Sequence, residues 1–154
     1  MRKFFKRFFI LLGVLLMLLI GYFIYLQQLY GVDLKTVEYY QELRAEVIEA
    51  GYQPMWFVLS TVRPYWFNQF LVETGRGAAR RSQHLYGKAI DLVVLDVNLD
   101  GQINSTDVDI VYSILDKKVV KNKGGIGTYK SQPNFLDYQQ VHFDSRGHRA
   151  RWAR

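Results

Sequence analysis

The sequence contains no cysteine and only three histidines in 154 residues. Without cysteine the fold has no disulfides, and any bound metal must be held by nitrogen and oxygen rather than thiolate. Internal repeats and low-complexity segments are also absent, and nothing in the chain resembles a nucleic-acid-binding module, so no nucleic-acid partner is expected. Charge is missing from one long stretch. Between Phe8 and Leu26 no Asp, Glu, Lys, Arg or His interrupts the apolar run, which is about the length that crosses a bilayer as a helix.

That run is preceded by Arg2, Lys3, Lys6 and Arg7, and the next charge after it is Asp33. The positive-inside rule then predicts a single-pass anchor with its N-terminus in the cytoplasm and the rest of the chain outside, periplasmic or extracellular. A cleaved signal peptide is the rival reading, but Tyr25, Leu26, Gln27, Gln28, Leu29 and Tyr30 offer no small-x-small cleavage site. Residues 1–30 are therefore read as basic start and anchor, and residues 31–154 as one domain. The net charge of +6 draws on the N-terminus and on two later clusters, Arg76 to Arg81 and Arg146 to Arg154. Such a basic surface favours anionic wall polymer or lipid headgroups, unless it is simply a solvated face.

Within the domain, Asp33 reads as a helix N-cap, and Leu34, Val37, Tyr40, Leu43 and Val47 recur at helical spacing until Gly51 supplies a stop. Trp56 to Val62 is rich in apolar and β-branched residues and predicts a strand, broken at Arg63-Pro64. A short helix over Tyr65 to Leu71, a Gly/Arg loop from Gly75 to Arg81 and an apolar strand from Ala89 to Leu95 follow. Val108 to Leu115 has helical spacing, Lys117 to Gly127 reads as loop, and Val141 to Asp144 as a short strand. Elements mixed without regular strand-helix alternation predict an α+β domain, a small antiparallel sheet flanked by helices.

The chemistry concentrates in Ser82-Gln83-His84-Leu85-Tyr86-Gly87-Lys88-Ala89-Ile90-Asp91. A loop histidine is followed by an aspartate on an apolar strand, and the intervening glycine permits the turn that brings the loop back. His142, on the later strand, offers a third ligand. His84, Asp91 and His142, with water in a fourth position, would form an open tetrahedral site of the catalytic kind.

At these residues the chain resembles the zinc D-alanyl-D-alanine carboxypeptidase and murein endopeptidase family, whose fold is shared by the Hedgehog signalling domain. The family pattern is Ser-x-His-x-x-Gly-x-Ala-x-Asp, followed downstream by His-x-Asp or Glu-x-x-His. The first block is complete here, and the chain ends with the His-x-Asp form at His142 and Asp144. Ser60-Thr61-Val62-Arg63 with Asn68, Gly125-Ile126-Gly127-Thr128-Tyr129, and the closing stretch from Val141 to Trp152 extend the likeness over about residues 34 to 152. The resemblance implies zinc-dependent hydrolysis of an amide bond in a peptidoglycan stem peptide or cross-link. In Glu-x-x-His members the base sits three residues before the last ligand, where this chain has Gln139. Asp144, two residues after His142 and so on the same strand face, is the first candidate for proton transfer and Asp137 the second. Asp144 could instead orient a ligand histidine. Arg63 resembles the family's substrate-side arginine, stabilising an oxyanion or a substrate carboxylate, unless it is a structural ion pair. Hedgehog relatives imply an alternative, a zinc-bearing module that binds cell wall or protein without hydrolysis.

Between the second and third ligands lies a segment that fits a calcium loop. Asp96, Asn98, Asp100 and Asp107 stand at positions one, three, five and twelve, Gly101 at six, and Gln102 at seven would offer its backbone carbonyl. The loop and the helix it leads into, an insertion at about 96–115, are similar to half of a dockerin repeat. Calcium would fix the insertion and steady Asp91 through the adjoining strand; a polar turn without an ion is the alternative.

Overall fold

The computed structural model describes residues 2–76, 78–129 and 139–153. The chain divides into two compact units, Met1–Gly31 and Val32–Arg154. The first is a helix, α1 (Arg2–Tyr30). Its segment Phe5–Leu26, 22 residues with nothing buried, is long and apolar enough to cross a membrane.

The second unit opens with α2 (Leu34–Glu49) and buries Thr36, Tyr39, Leu43 and Val47. The inward stripe is thus turned one position from the predicted Leu34-Val37-Tyr40 line, and Leu34 is 80% exposed. Asp33 occupies the N-cap with extended backbone, but its carboxylate accepts from Ser145 Oγ (3.3 Å) rather than from the helix amides. Gly51, at φ 84, closes the helix as its sequence position predicts. Then come β1 (Trp56–Ser60), α3 (Tyr65–Glu73), a 3₁₀ turn (Gln83–Tyr86), β2 (Ala89–Val94) and α4 (Ser105–Ile114). A π-helical turn (Leu115–Val119), β3 (Gly125–Thr128), β4 (Gln140–Asp144) and β5 (Ala150–Ala153) complete the order.

The strands form one sheet in the order β1-β2-β4-β3-β5. The domain is α+β, a small sheet flanked by helices. Its ladders are antiparallel except for β3 with β5. That parallel pair has a simple origin: the chain reverses after β4, through Gly147 at φ 91, so β5 must run with β3, which is itself antiparallel to β4. The turn-like composition of 117–127 conceals both the π-helical turn and β3, whose sequence Gly-Ile-Gly-Thr carries little strand propensity.

The period of two along the central strands divides them cleanly. Ile90, Leu92, Val94, Val141, Phe143 and Ile126 pack with Leu43 and Val47 of α2 and Val108 and Val111 of α4 into the core. Phe143, Leu43 and Leu92 are wholly buried, each stabilising the fold by about 1.5–3 kcal/mol. The alternate positions, Asp91 on β2 with His142 and Asp144 on β4, are left for the opposite face. Every residue of β2 is buried, so that face is covered too.

Candidate metal centre

Register builds the site. Asp91 pairs with His142 across β2 and β4, Gly127 pairs with His142 across β3 and β4, and a bulge in β1 sets Ser60 opposite Asp91. The 3₁₀ turn ends at Gly87, which adopts φ 66, and this left-handed cap lets His84 fold over the sheet. The turn is held by Arg63 N donating to His84 O (2.9 Å) and by Lys88 N donating to Gln83 O (3.0 Å).

The three side chains converge. His84 Nε2 lies 3.0 Å from Asp91 Oδ2, His142 Nδ1 lies 2.8 Å from Asp91 Oδ1, and the two ring nitrogens are 3.3 Å apart. All three residues are buried, and their ligand atoms lie within 4.8 Å of one another, so the cluster could hold a metal ion.

The other ring nitrogens are committed elsewhere. His84 Nδ1–H donates to the Thr61 carbonyl (2.5 Å), an acceptor only, which leaves the Nε2 lone pair facing the cluster. His142 Nε2–H donates to Asp144 Oδ2 (3.1 Å), which turns Nδ1 inward. Asp144 is itself saturated: Gly125 N donates to Oδ1 (2.9 Å), and Arg146 Nε and Nη2 engage both oxygens (2.8 and 2.5 Å). Glycine at 125 makes this possible, since a Cβ there would stand 2.3 Å from Asp144 Oδ2. Gly127 serves Trp152 similarly. A Cβ would meet the indole at 2.2 Å, and that indole packs on the His142 ring at 5.1 Å between centroids.

Arg63, from the turn after β1, donates through Nη2 to Asp91 Oδ2 (3.2 Å) and through Nη1 to Asn68 Oδ1 (3.4 Å). Asn68, buried on α3, is held in turn by Ala79 O (3.0 Å). Arg63 Nε is buried and has no hydrogen-bond partner among the described residues.

Electrostatics follow the contacts. Burial opposes ionisation of Asp91, but the His84 and His142 imidazoles outweigh it and hold the carboxyl well below the usual carboxylate range. Burial alone would lower His142; Asp144 and Asp91 overcome it and push the imidazole up to about 8. Asp144 is likewise opposed by burial and held low by His142 and Arg146.

Of the remaining predicted site residues, Gln139 is buried with Oε1 unpartnered among the described residues, and Asp137 lies outside them. In the candidate calcium loop, Asp96 accepts from the amides of Asp100 and Gly101, Asn98 from that of Asp100, and Asp100 from that of Gln102, at 2.8–3.1 Å. Asp107 is fully buried; its oxygens accept from Val97 N and Asn104 N, both at 2.9 Å. It therefore completes a capping box with Asn104 at the start of α4. The roles of Thr61 and Arg146 escaped the sequence reading. A backbone carbonyl leaves no signature there, and Arg146 stood in a run of arginines with nothing to single it out.

No family model and no curated protein matches the chain. Among solved structures, it is similar to the crystal structure of the L-Ala D-Glu endopeptidase ChiX of Serratia marcescens, at 16% identity over 77% of this chain and 84% of that one, with a TM-score of 0.46.

Proposed function

We propose that the chain is a membrane-anchored, extracytoplasmic zinc metallopeptidase that hydrolyses amide bonds in peptidoglycan stem peptides or cross-links. The observation that carries this reading is the convergence of His84 Nε2, His142 Nδ1 and the Asp91 carboxylate, with each imidazole locked by an acceptor behind it. Ligands bound to zinc at about 2.0–2.1 Å in a tetrahedron stand about 3.3 Å apart, close to the spacings found here. The residues fit the ion, and the ten-residue block from Ser82 to Asp91 supplies the family likeness. The basic N-terminus and the apolar helix after it support the anchor and its orientation.

Zinc held there would supply Lewis acidity toward the scissile carbonyl and a bound water of lowered pKa. The chain's own groups do the rest. The Thr61 carbonyl and Asp144 fix the two ring tautomers, and Arg146 with the Gly125 amide holds Asp144 ionised for that purpose. Asp144 is thereby assigned to positioning, and Asp137 remains as the carboxylate for proton transfer. Arg63 steadies Asp91, and its guanidinium is the group we propose to meet a substrate oxygen.

The engagement of Asp144, together with glutamine at 139, favours one second reading, a zinc-bearing module that binds wall peptide without cutting it. Digestion of purified muropeptides by the full chain in detergent with zinc, read by mass spectrometry against His142→Ala, separates the two. Cleavage lost in the variant supports the peptidase and identifies its bond. Intact muropeptides with stoichiometric zinc in the protein reject it.

From the loop spacing we also propose structural calcium at Asp96, Asn98, Asp100, the Gln102 carbonyl and Asp107, the last of which here accepts from the amides of Val97 and Asn104. Side-chain oxygens of the first three turned into one loop support this.

A further inference from the structure

Helix α3 is built inside out. Its buried residue is the polar Asn68, whereas Tyr65 (66%), Trp66 (67%) and Phe70 (50%) stand exposed, with Phe67 between them at 38%. Trp66 leans on Phe67 at 5.6 Å between centroids, and Phe67 stacks on Phe70 at 6.4 Å, so the rings form one continuous surface. On the preceding edge strand Phe57 and Leu59 are each 44% exposed. A soluble surface rarely carries so many adjacent aromatics without a covering. Past the helix the loop turns basic: Arg76, Arg80 and Arg81 are all exposed. Aromatic rings bordered by arginine are the chemistry of a headgroup boundary, where indole and phenol rings sit at the interface and guanidinium groups meet lipid phosphate.

On the anchor reading, a bilayer lies within a short tether of this domain. Residues 27–32 separate the apolar segment ending at Leu26 from Asp33, a connection that spans at most about 25 Å even when fully extended. Asp33 enters the domain beside the aromatic end: its amide donates to Gly87 O (2.9 Å), one residue beyond the 62% exposed Tyr86, and His84 of the same turn accepts from the amide of Arg63, two residues before Tyr65. We infer that the aromatic face of α3, with its arginine border, docks on the surface of the anionic bilayer in which the chain is anchored. The inference rests on the anchor reading. Docking would hold the Arg63 and Asn68 side of the metal centre next to the membrane, directing the enzyme to substrate close to the lipid.

The test uses the full chain in vesicles of phosphatidylcholine and phosphatidylglycerol whose acyl chains carry bromine, a short-range quencher of tryptophan. The three tryptophans are Trp56, Trp66 and Trp152, so the apolar segment contributes no signal. Flotation with the vesicles is checked first, and a chain that does not float sinks the anchor reading and the docking together. In a floating chain the expected result is quenching that Trp66→Phe largely removes. Replacing Arg76, Arg80 and Arg81 by alanine should weaken it in the phosphatidylglycerol vesicles, since each basic residue near an anionic surface is worth about fivefold in partitioning. A floating chain whose emission is unchanged by bromine, or is quenched equally in Trp66→Phe, overturns the docking and leaves the anchor standing. Shielding of Trp66 that depends on the number of chains per vesicle and not on bromine would overturn it in favour of a second copy.

Discussion

Asp144 stands 3.1 Å from the ring nitrogen of His142 that faces away from Asp91, and Arg146 grips the same carboxylate from the other side. A carboxylate placed this way fixes a ligand's tautomer and raises its basicity, and removal of such a partner typically costs 10–100-fold in metal affinity. Asp144→Asn should therefore weaken zinc binding by about that factor, measured by competition with a chromophoric chelator. Activity at saturating zinc should largely survive. If affinity is unchanged while activity at saturating zinc falls and the acidic limb of the pH-rate profile disappears, Asp144 is the base and the positioning role is wrong.

The same contacts make the metal-free protein sensitive to pH. His142 is raised from the ordinary imidazole value near 6.5 to about 8. A raised folded-state pKa stabilises fully below 6.5 and loses that contribution as pH rises through about 8. Melting of chelator-treated protein should drop by several degrees over that interval, an effect on the order of 2 kcal/mol. Zinc takes the place of the proton, so loaded protein should lack this step. Asp91 and Asp144, both depressed, act in the opposite sense: their contribution is present above the ordinary carboxylate value and fails only in acid. Histidine NMR titration checks the assignment. A His142 resonance titrating near 6 in the metal-free protein would refute it.

What could be read from the chain beforehand followed how local the signals are. The apolar segment, the helix ending at Gly51 and the strand from Ala89 depend on periodicity and composition, and all appear in the fold. Chain direction in the sheet did not: β5 joins by a pairing whose partner lies more than twenty residues away, and its short Ala-Arg-Trp-Ala sequence carries no alternation that marks a strand. At the metal centre, the spacing of His84 and Asp91 within a glycine-containing loop was visible because all the parts are contiguous. The hold of Thr61 on His84 was not, because it runs through a backbone oxygen. Likewise, the aromatics of Tyr65 to Leu71 predict the helix but not its outward face, which is set by Asn68 bonding inward to Arg63 and Ala79.

Gly127 tests the indole behind His142. A methyl group there meets the Trp152 ring at 2.2 Å, a contact that a rigid side chain packed on His142 cannot relieve by bending its far end. Alanine in place of glycine normally favours a strand by about 0.5–1 kcal/mol, but displacement of the ring should outweigh it and destabilise by about 1–3 kcal/mol. Gly127→Ala should therefore melt lower than wild type and bind zinc more weakly. A melting point at or above wild type would show that Trp152 moves freely and does not brace the ligand.

The calcium assignment makes a sharper demand because two aspartates of one loop should behave differently. Asp100 engages its neighbours within the turn, whereas Asp107 also ties the Val97 amide and caps α4. Calcium added to stripped protein at a hundredfold over its dissociation constant should stabilise by about 2.7 kcal/mol. Asp100→Ala should abolish that increment while leaving the calcium-free melting point nearly in place. Asp107→Ala should lower the melting point even without calcium, by about 1–3 kcal/mol, because the buried Val97 amide and the part-buried Asn104 amide lose their acceptor. If calcium changes neither wild-type melting nor the heat of titration, the loop is a hydrogen-bonded turn that needs no ion, held by Asp96, Asn98 and Asp100 within it and by Asp107 at its end.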